Sequence, residues 1–432
     1  MSPRRSLYGW LAAEGVSLAG TRVSMVALPF FVLTTTGSPE KTGLVAVAEL
    51  LPLVVLKVLG GPVIDRVGAR RVALVCDGGS VLVVGAVPLL HDAGVLSFPA
   101  LLALVAVAGA LRGPGDAAKH SLIPTLSATA AVPMERVTGL SSTVERTASM
   151  LGAVLAGALV AVAGPANALL VDAASFGVSA LLLAWALPAG TRGLGEEDDG
   201  EPYLERLRAG WRFLRGDRVL VAITVMVALT NLLDLAWSAV LVPVWGVERG
   251  GGAGAVGALF ATFAGASALG SLLAAAYAER LSRHVTYLVC FLVAGLPRFA
   301  VLAFDAPLPG VLAVAVVAGF ASGFLNPILG AVIYERVPAP LVGRVSSLST
   351  AACFALMPLG GLVGGFLVAG AGLSTAMLVC GVAYFAVTML PAIDPRWREL
   401  DVRSPRAADR LGEGPGEVRR PEPGQQVHPE PR

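Results

Sequence analysis

Charged residues are scarce in this chain: Asp, Glu, Lys and Arg together make up only 14% of its 432 residues. A soluble protein of that length could not cover its surface with so little charge. Apolar residues make up 55% of the chain, and the mean hydropathy is +0.75. The composition therefore excludes a water-soluble globular protein and predicts an all-α protein that crosses a membrane several times.

Cysteine and histidine are also rare, with four residues of each type. The cysteines lie in apolar segments without C-x-x-C spacing, which is typical of small packing residues rather than of disulfides or a metal site. The chain lacks G-x-x-x-x-G-K-[ST], H-E-x-x-H and G-x-S-x-G, so no nucleotide site or hydrolytic centre is indicated. We expect no enzymatic activity, metal, cofactor or nucleic-acid partner.

Long apolar runs dominate the chain, and about twelve of them approach the roughly 20 residues that span a bilayer. They lie at 8–34, 42–59, 72–90, 96–111, 137–163, 167–187, 219–244, 255–278, 285–304, 311–334, 346–368 and 374–391. Lys and Arg concentrate in the even-numbered loops, whereas the odd-numbered loops hold only Lys41 and Arg249. This asymmetry predicts a multi-pass protein of the inner (plasma) membrane with both termini in the cytoplasm.

Four regions follow from this pattern: a six-helix half at 1–187, a linker at 188–218, a second six-helix half at 219–394 and a disordered cytoplasmic tail at 395–432. The linker begins with acidic residues and ends in an amphipathic stretch, which is typical either of a helix on the inner membrane surface or of a solvated linker helix. The segment after Glu135 resembles the segment after Val342, as expected of two repeated halves. That arrangement predicts a transporter with its substrate site between the halves.

A short basic segment, Gly61-Pro62-Val63-Ile64-Asp65-Arg66-Val67-Gly68-Ala69-Arg70-Arg71, separates the second and third runs. It resembles the signature of the loop between helices 2 and 3 in the major facilitator superfamily, and the matching residues are Gly61, Asp65, Arg66, Gly68 and Arg70. The resemblance implies a cytoplasmic gate, in which we expect Asp65 to accept hydrogen bonds from helix N-termini and arginines. Asp77 is expected to join the charges of Arg66 and Arg70, and Arg71 and Arg112 are added as neighbouring charges. The alternative is an ordinary positively charged inner loop.

A narrower resemblance is to the twelve-helix drug:proton antiporters of the macrolide-efflux and enterobactin-exporter type. Three passages carry it, at Ala46–Pro52, at Arg112–Pro124 and at Val171–Phe176 with the later Leu207–Leu214. The sequence departs from the pattern of these antiporters at two places. Gly152-Ala153 occupies the place of the usual Gly-Pro in the fifth helix, and no acidic residue follows Gly20 in the first.

Charged residues inside apolar runs are costly, by roughly 2.5–3.5 kcal/mol at the bilayer centre, so they indicate function or pairing. The candidates for proton coupling are Glu49, Asp234, Glu14 and Glu145. The intramembrane cations are Arg22, Arg146 and Arg298. The alternative for each is a permanent ion pair between packed helices.

Aromatic and amide side chains at mid-membrane positions are candidates for the wall of a substrate cavity. They are Phe30, Phe31, Asn231, Trp237, Phe324 and Asn326. The alternative is that they pack in the core or face lipid.

The function that these observations favour is proton-coupled export of lipophilic small molecules, such as drugs and antibiotics, by alternating access. An exporter dedicated to a siderophore or metabolite shares the fold and remains open, as does an importer. A non-transporting membrane receptor or sensor is the alternative of another class. We expect a monomer whose partners are the lipid bilayer, protons and the small-molecule substrate.

Overall fold

The computed structural model describes residues 3–188, 191, 203–249, 251–277, 282–337, 342–393 and 397. The predicted tail at 395–432 therefore lies almost entirely outside the described residues, as does most of the linker before 203. In the described residues the secondary structure is helical, with no strand.

The first half of the chain contains eight of these helices. They are α1 (Pro3–Thr36), α2 (Pro39–Leu59), α3 (Gly61–Val67), α4 (Ala69–Asp92), α5 (Phe98–Ser121), α6 (Ile123–Ala130), α7 (Met134–Ala163) and α8 (Pro165–Ala186). The linker region contributes one helix, α9 (Tyr203–Gly216).

The second half contributes a further nine α-helices and a π-helical turn at Trp237–Leu241. The helices are α10 (Arg218–Ala236), α11 (Val242–Glu248), α12 (Gly252–Tyr277), α13 (Arg283–Ala294), α14 (Leu296–Ala303), α15 (Leu308–Arg336), α16 (Val342–Ala355), α17 (Met357–Ala371) and α18 (Leu373–Ile393).

Eleven stretches of the described helices are long and apolar enough to cross a membrane, and there are twelve when α2 and α3, bent at Gly60, are counted as one span. The prediction of an all-α membrane protein with about twelve spans is confirmed. The ends of the spans follow local sequence. Ser38 accepts a hydrogen bond from the Lys41 N–H, and Gly164 at φ +82° makes the turn between α7 and α8.

Asp217 caps the N-terminus of α10 by accepting hydrogen bonds from the backbone N–H groups of Val219 and Leu220, at 2.9 and 3.2 Å. The Arg336 Nε donates to the same carboxylate at 2.9 Å. Burial raises the pKa of Asp217, but the hydrogen bonds from Arg336 and from the helix N-terminus outweigh it and hold the pKa below its usual value. This carboxylate therefore ties the start of α10 to the end of α15.

The helices end alternately at two faces. The terminal face holds the start of α1, the helix α9 and the end of α18; the far face holds the turns after α1, α4, α7, α14 and α17. Within the first half α1 packs on α7 and α8, and α2 packs on α5. Within the second half α12 packs on α15, and α10 packs on α16 and α17. The pairs α2 with α17 and α7 with α12 join the two halves.

The joints between the halves lie near the far face and are made of glycine backbone. A Cβ built on Gly157 of α7 would lie 2.7 Å from the Cα of Gly257 on α12, and a Cβ on Gly43 of α2 would lie 2.2 Å from the carbonyl oxygen of Gly361 on α17. Only glycine permits this approach. The halves are thus closed against each other at the far face.

Candidate functional site

A cavity of about 810 Å³ lies between the two halves, below the glycine contacts of the far face. It extends toward the terminal face as far as Ser142 of α7 and Leu329 of α15. Apolar and aromatic side chains make up most of its wall, and polar groups from both halves interrupt it. Its charged lining residues are Arg22, Glu49, Arg112, Glu145, Arg146, Asp234 and Arg298.

The first half contributes an ion pair to the cavity, between Glu49 of α2 and Arg112 of α5. The Arg112 Nη1 lies 3.1 Å from the Glu49 Oε1, and about a fifth of each side chain is exposed. The helices can bring these groups together because α5 presents glycine to α2: a Cβ on Gly109 would meet the Glu49 carbonyl oxygen at 1.9 Å. The structure corrects the placement of Arg112, which lies in a membrane helix and not beside the gate.

The second half contributes the pair of Asp234 on α10 and Arg298 on α14, which are in direct contact. The guanidinium carbon of Arg298 also lies 5.1, 5.0 and 4.8 Å from the ring centroids of Trp237, Phe299 and Tyr384. Arg298 is thus held by one carboxylate and three aromatic rings. Its Nε and the Trp237 Nε1 are buried and have no hydrogen-bond partner among the described residues.

The other predicted intramembrane charges separate into two groups. Arg22, Glu145 and Arg146 line the cavity, and the Arg22 Nε donates to the Ser149 Oγ at 3.1 Å. Glu14 is buried away from the cavity wall, where its carboxylate accepts a hydrogen bond from the Ser141 Oγ at 3.2 Å.

Two of the six predicted wall residues, Asn231 and Trp237, line the cavity. Phe30 and Phe31 are instead buried in the core, where the Phe31 ring packs edge-on against the His91 ring at 4.9 Å. The assignment of these two rings to the cavity was wrong.

Phe324 packs against Phe320 with ring centroids 5.6 Å apart and is not among the described lining residues. The structure thus corrects its assignment too. The side chain of Asn326 lies outside the described residues.

The predicted gate is a short helix rather than a loop over Gly61–Val67, and it ends at Gly68, whose φ is +95°. Asp65 is exposed and makes no hydrogen bond or ion pair with any described residue, which corrects the expectation of a carboxylate held by helix ends and arginines. Its neighbours Arg66 and Arg71 are exposed as well. Arg70 donates to the carbonyl oxygens of Leu187 and Ala184, at 3.0 and 3.2 Å, and so caps the end of α8.

Asp77 does not join Arg66 and Arg70 as expected, because it is buried in α4 beside Lys119 of α5. The Lys119 Nζ lies 2.9 Å from the Asp77 Oδ1, and the Ser179 Oγ donates to the Oδ2 at 2.7 Å. Each of the paired side chains is only 4% exposed. This is a closed structural pair, separate from the cavity.

Asp172 of α8 is a buried membrane carboxylate that the sequence reasoning missed. It is 3% exposed and accepts a hydrogen bond from the Ser24 Oγ of α1 at 2.5 Å. It packs against Gly20, since a Cβ built there would lie 2.7 Å from the Asp172 Oδ1. An acidic residue within a long apolar run was the signal that could have identified it.

A comparison with known families decides the identity of the fold. The family model described as "Major Facilitator Superfamily" matches residues 11–248 and 225–407. The chain belongs to the major facilitator superfamily. The family predicted from the segment 61–71 is therefore confirmed, and the chain is a multi-pass membrane protein of a transporter family.

Two relatives align with nearly all of this major facilitator chain. It is 30% identical to "Multidrug efflux pump Tap" of Mycobacterium tuberculosis in an alignment of 403 residues. That alignment covers 93% of this chain and 96% of the relative. It is 29% identical over 390 residues to "Multidrug efflux pump Tap" of Mycolicibacterium fortuitum, with 89% of this chain and 95% of the relative covered.

Solved structures share the fold at low sequence identity. The nucleoside transporter NupG superposes with a TM-score of 0.73 at 12% identity and covers 90% of this chain and 98% of its own. A bacterial homologue of the human lysosomal transporter Spinster, in an inward-facing and unoccupied conformation, superposes with a TM-score of 0.69 at 15% identity, over 93% and 97% of the two chains. The likeness extends over both halves of the major facilitator fold.

Proposed function

We propose that this chain exports lipophilic small molecules of varied structure by alternating access, driven by protons that move in the opposite direction. One observation carries the proposal: a large, mostly apolar cavity lies between the halves, and each half contributes an ion pair to it. The relatives named as multidrug efflux pumps support the same activity.

The orientation that fits export has the terminal face in the cytoplasm of a cell whose plasma membrane holds the protein. The excess of Lys and Arg in the loops of that face supports it. The cavity then receives its substrate from the inner leaflet or the cytoplasm, and the glycine contacts close the outer end. In the outward-facing state we expect the helix with Asp65 to contact the second half and to close the inner end.

Proton coupling is assigned to Glu49 and Asp234, since each is a carboxylate in the cavity and each is neutralised by an arginine. Protonation of either carboxyl group removes its charge and releases the guanidinium. Removal of the proton restores the pair and tightens the helices around it. Because the same groups face the substrate, the substrate and the proton compete, which is the condition for exchange of one for the other.

Substrate recognition rests on ring surfaces with few polar groups, which suits ligands of different shapes. Phe260, Phe263 and Phe291 line the cavity beside Trp237 and Tyr384. The buried Trp237 N–H has no acceptor among the described residues, so a carbonyl or ether oxygen of the substrate can supply one.

The deciding experiment measures efflux of chemically different lipophilic antibiotics and dyes from cells that express the chain, with and without a protonophore. We expect efflux of several compounds that the protonophore abolishes. Glu49→Gln and Asp234→Asn should each stop it, whereas Asp92→Asn, at the exposed end of α4, should not.

Efflux that survives the protonophore would refute proton coupling. Coupled efflux that persists in both Glu49→Gln and Asp234→Asn would refute the assignment of those residues. A protein that reaches the membrane and moves no compound of the panel would favour a dedicated metabolite exporter or a receptor.

A further inference from the structure

Among the described residues, Asp172 has hydroxyl partners and no cation within ion-pair distance, whereas the buried carboxylates Asp77 and Glu14 lie near Lys119 and His120. The Ser24 Oγ donates to its Oδ2 at 2.5 Å, and the Ser175 Oγ lies 3.3 Å from its Oδ1. No Lys, Arg or His nitrogen of the described residues lies within 4.0 Å of the carboxylate. The side chain is nonetheless 3% exposed.

Asp77 offers an internal comparison, since it is buried to the same degree on a neighbouring helix. Its carboxylate has Lys119 at 2.9 Å, so its charge is neutralised permanently. A buried ionised carboxylate without such a partner is costly, and it becomes neutral by taking up a proton. Asp172 is therefore arranged to hold a proton, and Asp77 is arranged to hold a cation.

A small second cavity of about 40 Å³ connects Asp172 with the wall of the large one. Ser24, Glu49 and Arg112 line both cavities, and Asp172 lines only the small one. This space admits at least one water molecule, for which roughly 10–15 Å³ is enough. Its wall is mostly apolar, and Ser24, Glu49 and Asp172 supply the polar groups that can hydrogen-bond the water. A proton can thus pass between Glu49 and Asp172 through water.

The charged and polar groups that face Asp172 support proton transfer from Glu49 to Asp172. From α2 and α5 the facing charges are Glu49 and Arg112, which are paired with each other. The helix α1 presents the Ser24 hydroxyl, and α4 presents Ser80 between valines. Within the part of the chain that the structure describes, Arg112 is the one cation that lines the small cavity, and it is paired with Glu49 rather than with Asp172.

We propose that Asp172 is a proton-storage site that lies behind the substrate cavity and exchanges its proton with Glu49. The Glu49 carboxyl group gives its proton to water, and that water passes a proton to the Asp172 carboxylate. Glu49, now ionised, pairs with Arg112, and Asp172 becomes neutral. The proton stays in the protein while the Glu49–Arg112 pair faces the substrate.

This role in transport rests on the proton coupling proposed above, but the protonation of Asp172 is measured without any transport. Infrared difference spectra of the purified protein, recorded during a pH titration, report protonated carboxyl groups by their C=O stretching band. We expect a band that Asp172→Asn removes and that Asp77→Asn leaves in place. Ser24→Ala, which deletes the hydrogen-bond donor and keeps the carboxyl group, should shift the same band.

Transport assays then test the coupling role. Asp172→Asn should lower protonophore-sensitive efflux about tenfold or more, as loss of coupling between two ligands does, while the Kd of a fluorescent substrate changes less than about twofold. A spectrum without an Asp172 band, or with a band unmoved in Ser24→Ala, would overturn the inference. If efflux proves independent of protons, the proposed function fails, and the infrared band still decides whether Asp172 holds a proton.

Discussion

Replacement of Gly157 by alanine should weaken the closure of the far face. The added Cβ would lie 2.7 Å from the Cα of Gly257 and 3.0 Å from the carbonyl oxygen of Ala253. These neighbours are backbone atoms, which a rotamer change cannot remove. The helices α7 and α12 must therefore move apart whenever this face closes, whereas the open state has no such conflict.

The size of the effect follows from the cost of overpacking, which is about 1–3 kcal/mol for a methyl-sized addition in a tight contact. A free energy of that size changes the ratio of two conformations by roughly 5–150-fold. The far-face-open state should thus gain population by one to two orders of magnitude. Gly257→Ala should act in the same direction, since its Cβ would lie 2.5 Å from the Cα of Gly157.

Electron–electron distance measurements on spin labels at Val95→Cys and Leu308→Cys, in a background without the native cysteines, report the opening. Both positions are exposed at the far face, one on each half. We expect a longer distance to appear in Gly157→Ala. Gly254→Ala on α12 is the matched control, because a Cβ there meets no atom within 4 Å. Unchanged distance distributions in both Gly157→Ala and Gly257→Ala would refute the reasoning.

Three further predictions concern single side chains. Lys119→Met should lower the melting temperature of the purified protein, because it leaves Asp77 buried without its cation at a cost of about 3–5 kcal/mol. An unchanged melting temperature would contradict this prediction. The additional change Asp77→Asn should restore part of the lost stability. Asp217→Ala should lower the free energy of unfolding by about 0.5–2 kcal/mol, because it removes the N-terminal cap of α10. The pKa of Asp217 is lowered in the folded protein, so its contribution to the free energy of unfolding is complete above the ordinary pKa of 3.8. That contribution is lost as the pH falls through the folded pKa. In acid titrations, the difference in free energy of unfolding between wild type and variant should therefore become smaller. Trp237→Phe should raise the KM for substrates with a hydrogen-bond acceptor by about 2–10-fold, the worth of one hydrogen bond, and should spare substrates without one.

The spans could be predicted from the sequence because hydropathy over about 20 residues depends on composition alone. The ends of the spans could not be predicted in this way. The fourth run was predicted to stop at 111, yet α5 continues to Ser121. Arg112 and Lys119 remain in the helix because Glu49 and Asp77 neutralise them, and hydropathy does not register a partner from another helix.

The same limit applies to the site. The rule that charges inside apolar runs indicate function or pairing singled out Glu49, Asp234 and Arg298, which all line the cavity. Their partners could not be predicted, because they depend on which helices touch. The approach of α2 to α5 is set by Gly109, whose role appears only once the helices are packed. The aromatic residues were ambiguous for another reason. Phe30 lies in a run that is apolar on every side, so periodicity cannot tell the core from the cavity wall.

The short helix over the predicted gate shows how local chemistry overrides a polar composition. Pro62 stands at its beginning, where a proline suits a helix, and the next helix-breaking residue is Gly68. The residues between Pro62 and Gly68 include no helix breaker, so they form a helix.

The packing of α9 has a consequence for how the gene for this protein could be divided. Leu214 of α9 is buried against Leu220, Val337 and Val345, all of which belong to the second half. A break in the chain within 189–202 would therefore leave α9 with the fragment that it packs against. We expect two fragments so divided to reassemble when they are co-expressed. A break between α9 and α10 would separate α9 from its packing partners and remove the Asp217 cap. By its packing, α9 thus belongs to the second half, and the division between the halves falls after α8.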